Sequence, residues 1–392
     1  MLVTRVVAKL EAGGAQLSLL RVSRVLARRG YRTRLLVGTA TPEGVQIARE
    51  HGIEPEVMGS AVDLQWHCDP AFAAWLAPRL IGADVVHAHM LGAWWAAAQS
   101  TAADVPLVAS EHNSYAWWGE PPWAAMADVA DRIDRFYAHG PDAHAGALRA
   151  GISEDRIRRG VSPVVGLDAV ALPGLPSPRI VFTGRFSADK GPDVLIEAIA
   201  RIGGDAPPLL MLGAGLLEDD LQAQVARLGL DRAVRFCGWV NEPGRWVAGA
   251  TVQVCPSRDE AFSQTAVLAM GLGVPVIGTD VDGFPDTLAD GRGILVAPED
   301  PEALARALEQ VLSGQRRTDT AGGRVWAAQF DVDRVAAVYE QTYIEFRPGG
   351  SALKPPVDAC GTSPRRDEQG LAKAITSASA RGAVPNGGQG NK

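Results

Sequence analysis

Cysteine is scarce in this chain: four residues in 392, at Cys68, Cys237, Cys255 and Cys360, with no paired metal-ligand spacing. They are expected to be reduced thiols, Cys237 and Cys255 in strand-like apolar runs, which points to the cytoplasm. A surplus of positive charge is also missing. Lys and Arg number 38 against 45 Asp and Glu, a net charge of −7, which argues against nucleic acid as the main partner. No apolar run approaches the roughly 18 residues that cross a bilayer. The opening MLVTRVVAKL carries no long apolar segment ahead of a cleavage site, so no secretory signal is expected.

What remains is a globular composition, 47% hydrophobic and 21% charged with 43 glycines, and enough length for two domains. Short apolar runs alternate with amphipathic segments, the pattern of parallel βαβ units. Strands are expected at 4–9, 33–38, 55–59, 84–89, 107–111 and 135–139, then at 179–183, 209–212, 234–237, 252–255, 274–278 and 293–296. Helices are expected at 15–29, 70–81, 192–201, 217–228, 263–272, 301–312 and 336–346. The proline-rich GLDAVALPGLPSP between them reads as a linker. The organisation is therefore an α/β protein. Residues 1–165 form one Rossmann-like domain, 166–178 a linker and 179–346 a second Rossmann-like domain. Residues 347–392, poor in aromatics, form a tail expected to be disordered. Two doubly wound domains facing a central cleft bind ligands at the carboxyl ends of their strands.

Chemistry concentrates between Thr183 and Gly278. TGRFSADKG places Arg185 and Lys190 on a strand-to-helix turn closed by Gly191-Pro192. A guanidinium and an ammonium together can neutralise a diphosphate. Glu260, in DEAFSQ, precedes an apolar helix; it can cap that helix or accept sugar hydroxyls. Gly13 and Gly14 follow the first strand and let backbone N–H groups approach a phosphate, although such a pair also makes an empty tight turn. Gly213-Ala214-Gly215 lacks a third glycine and reads as a turn.

In the first half, His112 ends a strand and is expected to face the cleft. His87 and His89, on either side of Ala88, are expected to point to opposite faces, so that at most one lines the cleft. His139 and His144 are expected to be structural. Seven tryptophans (Trp66, Trp75, Trp94, Trp95, Trp117, Trp118 and Trp123) crowd one region with Asp63, Asp69, Glu111 and Glu120. Adjacent pairs are not all expected to point inward, leaving an aromatic floor for a cationic, hydroxylated ring. Arg21, Arg24, Arg28 and Arg29 give the first helix a basic face, solvated or turned toward anionic lipid.

The linked series GGA at 13–15, VVHAH at 85–89, SEH at 110–112, GRFSADKG at 184–191, GAG at 213–215, FCGWV at 236–240, DEAFSQ at 259–264 and GVPVIGTDVDGFPD at 273–286 resembles the retaining glycosyltransferases of family 4, which have the GT-B fold. The resemblance covers residues 1–346. It implies that Arg185, Lys190 and Gly14 hold the donor diphosphate, and that Glu260, Phe262, Ser263 and Gln264 hold the sugar. His112 and Glu260 are implied as the catalytic pair. It also implies a UDP-sugar co-substrate, with no metal and no other cofactor, and retention without a protein nucleophile. One departure stands out: the family carries a second Glu for the ribose eight residues after the first, where this chain has Leu268.

A narrower resemblance, carried by KLEAGGAQLSLLRVSRVLARRGYRTRLLVG, DLQWHCDPAFAAWLAPRL and VHAHMLGAWWAAA, is to 2-deoxystreptamine glycosyltransferases of aminoglycoside antibiotic biosynthesis. It implies transfer of N-acetylglucosamine, or glucose, from the UDP-sugar to an aminocyclitol held near Glu111, Trp117 and Trp118. A lipid-directed peripheral transferase, an epimerase and a sugar-binding protein are the other readings. The oligomeric state is left open.

Overall fold

Two all-parallel sheets carry the chain, in a computed structural model that describes residues 1–115 and 121–346. The first contains β1 (Leu2–Leu10), β2 (Arg32–Ala40), β3 (Pro55–Val57), β4 (Val85–His89), β5 (Leu107–Glu111), β6 (Arg135–Ala138) and β7 (Ile157–Arg159), in the order β3-β2-β1-β4-β5-β6-β7. The second contains β8 (Ile180–Thr183), β9 (Leu209–Leu212), β10 (Val234–Phe236), β11 (Val252–Cys255), β12 (Val276–Thr279) and β13 (Ile294–Val296), in the order β10-β9-β8-β11-β12-β13. Strand order reverses between β1 and β4 and again between β8 and β11. Those two switch points are where a doubly wound sheet opens a crevice for ligands. The fold is the α/β arrangement expected.

The central runs form strands because they are buried on both faces, as the interior of a parallel sheet requires. All four residues of β9 (LLML) are buried, as are all five of β4. Sequence patterning missed β7, whose three residues IRR expose both arginines. The Leu91–Ser100 helix lies between two strands, where a helix is expected, but it has no polar face to give it a period: its first eight residues are all buried. The helix is covered by the sheet on one side and by the Pro70–Leu76 and Trp123–Ala130 helices on the other. Adjacent Trp94 and Trp95 are therefore both buried, at 0% and 8% exposure. The expectation that one of them faces a ligand is corrected accordingly.

The last helix, Val332–Glu345, crosses back to the first sheet. Val335, Ala336, Tyr339 and Tyr343 pack with Val3, Val22, Val25, Leu26 and Tyr137. Its acids also meet the first helix, Gly14–Arg28, and the residue after it. Arg29 lies 2.7 Å from Glu340 and Arg28 3.8 Å from Asp333. Two of the four arginines of the supposed lipid-facing surface are thus paired within the protein, and Arg21 lines the cleft. The expected tail, 347–392, lies outside the described residues. Among the described residues no helix is long and apolar enough to cross a membrane.

Tyr343 is fully buried and its hydroxyl meets His87 Nδ1 at 2.6 Å. Replacing it with alanine should cost about 3–5 kcal/mol, read as a lowered urea midpoint with an unchanged slope.

Candidate active site

The residues singled out by sequence converge on one cleft of ≈ 670 Å³ between the two sheets, a volume suited to a nucleotide sugar. Gly14, His112, Arg185, Lys190, Glu260, Phe262, Ser263 and Gln264 all line it. Arg185 and Lys190 follow β8, while Glu260 follows β11, the neighbouring strand at the switch point. The turn between the two cations ends on Gly191, at φ +60°. A Cβ there would collide with the Pro256 carbonyl oxygen, so only glycine lets this turn press against the β11 loop.

Lys190 Nζ lies 3.1 Å from Glu260 Oε2 and 3.5 Å from Asp189 Oδ2. Ser257 Oγ donates to the same Glu260 oxygen at 3.3 Å. Burial works against the Lys190 ammonium, but the Glu260 and Asp189 carboxylates overcome it and raise its pKa above the usual lysine value. Arg185 is half exposed and reaches Glu11 at 3.8 Å and Asp189 at 3.7 Å. The long Arg185 contacts are ones an entering diphosphate can displace, while Lys190 stays paired with Glu260. Behind Glu260, its carbonyl oxygen accepts from Gly283 N–H at 3.1 Å, and the Ser263 hydroxyl caps the Gln264–Gly271 helix.

From the first sheet, the Glu11–Gly13 turn brings Gly14 against this helix. A Cβ on Gly14 would lie 2.8 Å from Gln264 Nε2, which itself donates to Ser18 Oγ at 3.2 Å. The first-turn N–H groups of the Gly14–Arg28 helix, with no side-chain cap, open on the same space as Arg185 and Lys190. That is the geometry of an anion site.

The histidines depart from expectation. Residues i and i+2 of a strand share a face, so His87 and His89 lie side by side, with ring centroids 4.2 Å apart. The stack continues through His112 at 5.5 Å from His89, and His139 at 3.8 Å from His112. His112 and His139 both line the cleft, so His139 is more than a core residue. Burial pushes the His112 imidazole down to about 3, leaving it neutral at physiological pH.

Glu111 does not line the cleft. It is 0% exposed, and its oxygens accept from Trp94 Nε1, the Tyr115 hydroxyl, the His112 and Asn113 N–H groups and Asn113 Nδ2. It organises the loop that carries His112, and a carboxylate with five donors has none left for an acceptor. Trp75 and Trp123 sit under Arg79 and Arg149 as cation–π partners, away from the cleft. Trp117, Trp118 and Glu120 lie outside the described residues. A tryptophan that does stand in the cleft is Trp239, 48% exposed, visible to sequence only as part of FCGWV. Leu268 is 4% exposed on the cleft floor beside Gly166 and Gly244, packed as core and offering no polar atom. Among the described residues, no cluster of three or more His, Cys, Asp or Glu could hold a metal ion. The described cysteines are free.

With this geometry in hand, relatives and neighbours can be compared. Residues 12–160 match the Glycosyltransferase Family 4 description and residues 177–314 match Glycosyl transferases group 1. The D-inositol 3-phosphate glycosyltransferase of Streptomyces griseus is 31% identical over 329 residues, covering 69% of this chain and 68% of that protein. The one from Xylanimonas cellulosilytica is 30% identical, covering 86% and 92%. With the Streptomyces scabiei protein, the match spans 44% of the relative's length. Among solved structures, Anabaena HepE in complex with UDP and glucose has a TM-score of 0.73 at 20% identity, covering 87% of this chain and 98% of that one. Sucrose-phosphate synthase from Thermosynechococcus elongatus has 0.68 at 21%, covering 88% and 98%. The fold and site define a GT-B glycosyltransferase. Within that class, the chain belongs to the group 1, family 4 glycosyltransferases.

One contact across the cleft carries a pH signature. Asp282 Oδ1 accepts from Asp142 N–H at 2.9 Å, at the start of the Pro141–Arg149 helix. Its Oδ2 is buried without a partner among the described residues. Burial, with Asp142, Asp259 and Glu260 nearby, raises this carboxyl to about 7. A carboxyl whose folded pKa is raised binds more protons folded than unfolded, so its contribution to stability falls as pH rises from about 4 to 7. Asp282→Asn keeps the acceptor and loses the charge. It should flatten the decline in melting temperature between pH 4.5 and 7.5 relative to wild type.

Proposed function

We propose that this chain is a retaining glycosyltransferase using a UDP-sugar, and that it transfers N-acetylglucosamine from UDP-N-acetylglucosamine to 2-deoxystreptamine in aminoglycoside antibiotic biosynthesis. UDP-glucose is the alternative donor. The observation that carries the transferase reading is the convergence of Arg185, Lys190 and Glu260 at one switch point, opposite Gly14. In this reading, the two cations and the Gly14 helix terminus hold the diphosphate as the bond from C1 to its oxygen breaks. The acceptor oxygen bonds to C1 on the same face, and its proton passes to the departing phosphate. Glu260 accepts from the sugar hydroxyls, held in register with the phosphate by its ion pair to Lys190. Preorganised charge of this kind is the main source of rate. The exposed Trp239 indole suits the face of a base. Free thiols fit a cytoplasmic enzyme.

The aminocyclitol rests on the narrower sequence resemblance. A second reading, a phosphorylated cyclitol as acceptor, is favoured by one side chain. Arg21 lines the cleft beyond Gly14 with no ion pair among the described residues, and burial lowers its pKa. An uncompensated guanidinium suits a phosphate, and the names of the relatives point the same way. The arginine face that supports the lipid-acceptor reading is narrowed, since Arg28 and Arg29 pair with the last helix.

A mass-spectrometric panel of UDP-sugars against 2-deoxystreptamine and D-inositol 3-phosphate separates these readings. We expect the mass of an N-acetylglucosaminyl aminocyclitol. Product with inositol phosphate alone establishes the second reading, and no cyclitol product refutes both acceptors. Arg185→Ala and Lys190→Ala should each lower turnover by about 10²–10³-fold; unchanged rates in both would refute the diphosphate clamp.

A further inference from the structure

Arg5 sits in the middle of β1 at 1% exposure. A buried guanidinium ordinarily lies against a carboxylate, because its charge is costly to remove from water. This one instead faces imidazoles. Its Nη1 lies 3.3 Å from His87 Nδ1 and 3.2 Å from His89 Nε2. Its Nε and Nη2 have no partner among the described residues.

A guanidinium can only donate, so both of those ring nitrogens must present lone pairs. Neither ring can be charged: burial, and then the neighbouring charged and imidazole groups, hold both well below the usual histidine value. A neutral imidazole carries one proton, and the rest follows by hand-over. His89 accepts on Nε2, so its proton is on Nδ1, which lies 3.2 Å from His112 Nε2. His112 accepts there, so its own proton is on Nδ1. That nitrogen hydrogen-bonds to no described residue and is not fully buried, and His112 lines the cleft. His87 obeys the same logic on a side branch. It accepts on Nδ1 from Arg5 and Tyr343 and donates from Nε2 to Ser110 Oγ at 2.8 Å.

We propose that Arg5 is a positioning residue that fixes, through His89, the Nδ1–H tautomer of His112, so that the cleft presents a hydrogen-bond donor to an oxygen of the transferred sugar. The sugar's part in this rests on the function proposed above; the tautomer does not. Without Arg5, His89 can hold its proton on either nitrogen and His112 is free to turn a lone pair to the cleft. A donor sugar would then lose that hydrogen bond.

The test uses full-length protein labelled with ¹⁵N-histidine, whose long-range ¹H–¹⁵N spectra report which nitrogen of each ring is protonated, with no substrate present. Wild type should show His112 protonated on Nδ1. Arg5→Met and His89→Leu break the chain and should release His112 to a mixed or Nε2–H form. Arg5→Lys and His89→Gln keep a donor reaching His112 and should hold the wild-type form. Circular dichroism checks that each variant is folded; Arg5→Met removes a buried charge and is expected to be. In sugar transfer, kcat/KM should fall about 10–100-fold in the two chain-breaking variants and far less in the two conservative ones. Wild-type His112 protonated on Nε2, or an unchanged Nδ1–H form in both chain-breaking variants, would overturn the relay. A tautomer that moves while transfer rates stay level would overturn the role toward the sugar. If no sugar transfer is found with any donor, the spectra still decide the relay, so its failure and that of the functional reading remain distinct.

Discussion

The ion pair between Lys190 and Glu260 is the contact on which the donor half of the site depends. It ties the turn after β8 to the loop after β11, the two strands that meet at the switch point of the second sheet. Lys190 would lose its proton more readily in so buried a place if it stood alone. Two carboxylates reverse that and keep a cation standing ready. The arrangement needs a close approach of two loops, which Gly191 permits by having no side chain to meet the Pro256 carbonyl. It also needs Glu260 to be held from behind, which the Gly283 N–H provides. A charge fixed in this way does not have to be reorganised when a phosphate arrives.

Polar contacts link the first sheet's half to this one. Gln264 reaches Ser18, Asp282 takes the Asp142 N–H, and Arg185 approaches Glu11. The covalent tie is reinforced at the far end by the Val332–Glu345 helix, which leaves the second sheet and packs on the first. Its Tyr343 and Tyr339 lie beside His87. The helix therefore walls the histidine stack that runs from Arg5 to the cleft.

How much of this could be read in advance depended on whether the signal was local. Twelve of the thirteen strands were legible, most of them as apolar runs; β7, whose IRR has two exposed arginines, has no such run. Arg185, Lys190, Glu260 and Gly14 were legible because each sits at a strand-to-helix turn, where ligand chemistry gathers in this architecture. The tryptophans misled because the Leu91–Ser100 helix is covered on both sides, a fact about its neighbours rather than its own period. Glu111 misled for a similar reason: nothing in SEHN tells that five donors surround one carboxylate. His87 and His89 were misjudged against a rule that the two-residue period already contains.

By itself the amino-acid sequence determined the α/β architecture, the family, and the positions of the cations and the acid that meet in the cleft. These follow from periodicity and from short motifs whose residues are close in the chain. The tertiary structure alone decided which charges meet. It paired Arg28 and Arg29 with the last helix, left Arg21 in the cleft with no ion pair among the described residues, packed Leu268 into the floor, and set a buried arginine against two histidines. Those outcomes join residues dozens to hundreds of positions apart. Their energies come from burial and from the partner at hand, neither of which is written in the order of the chain.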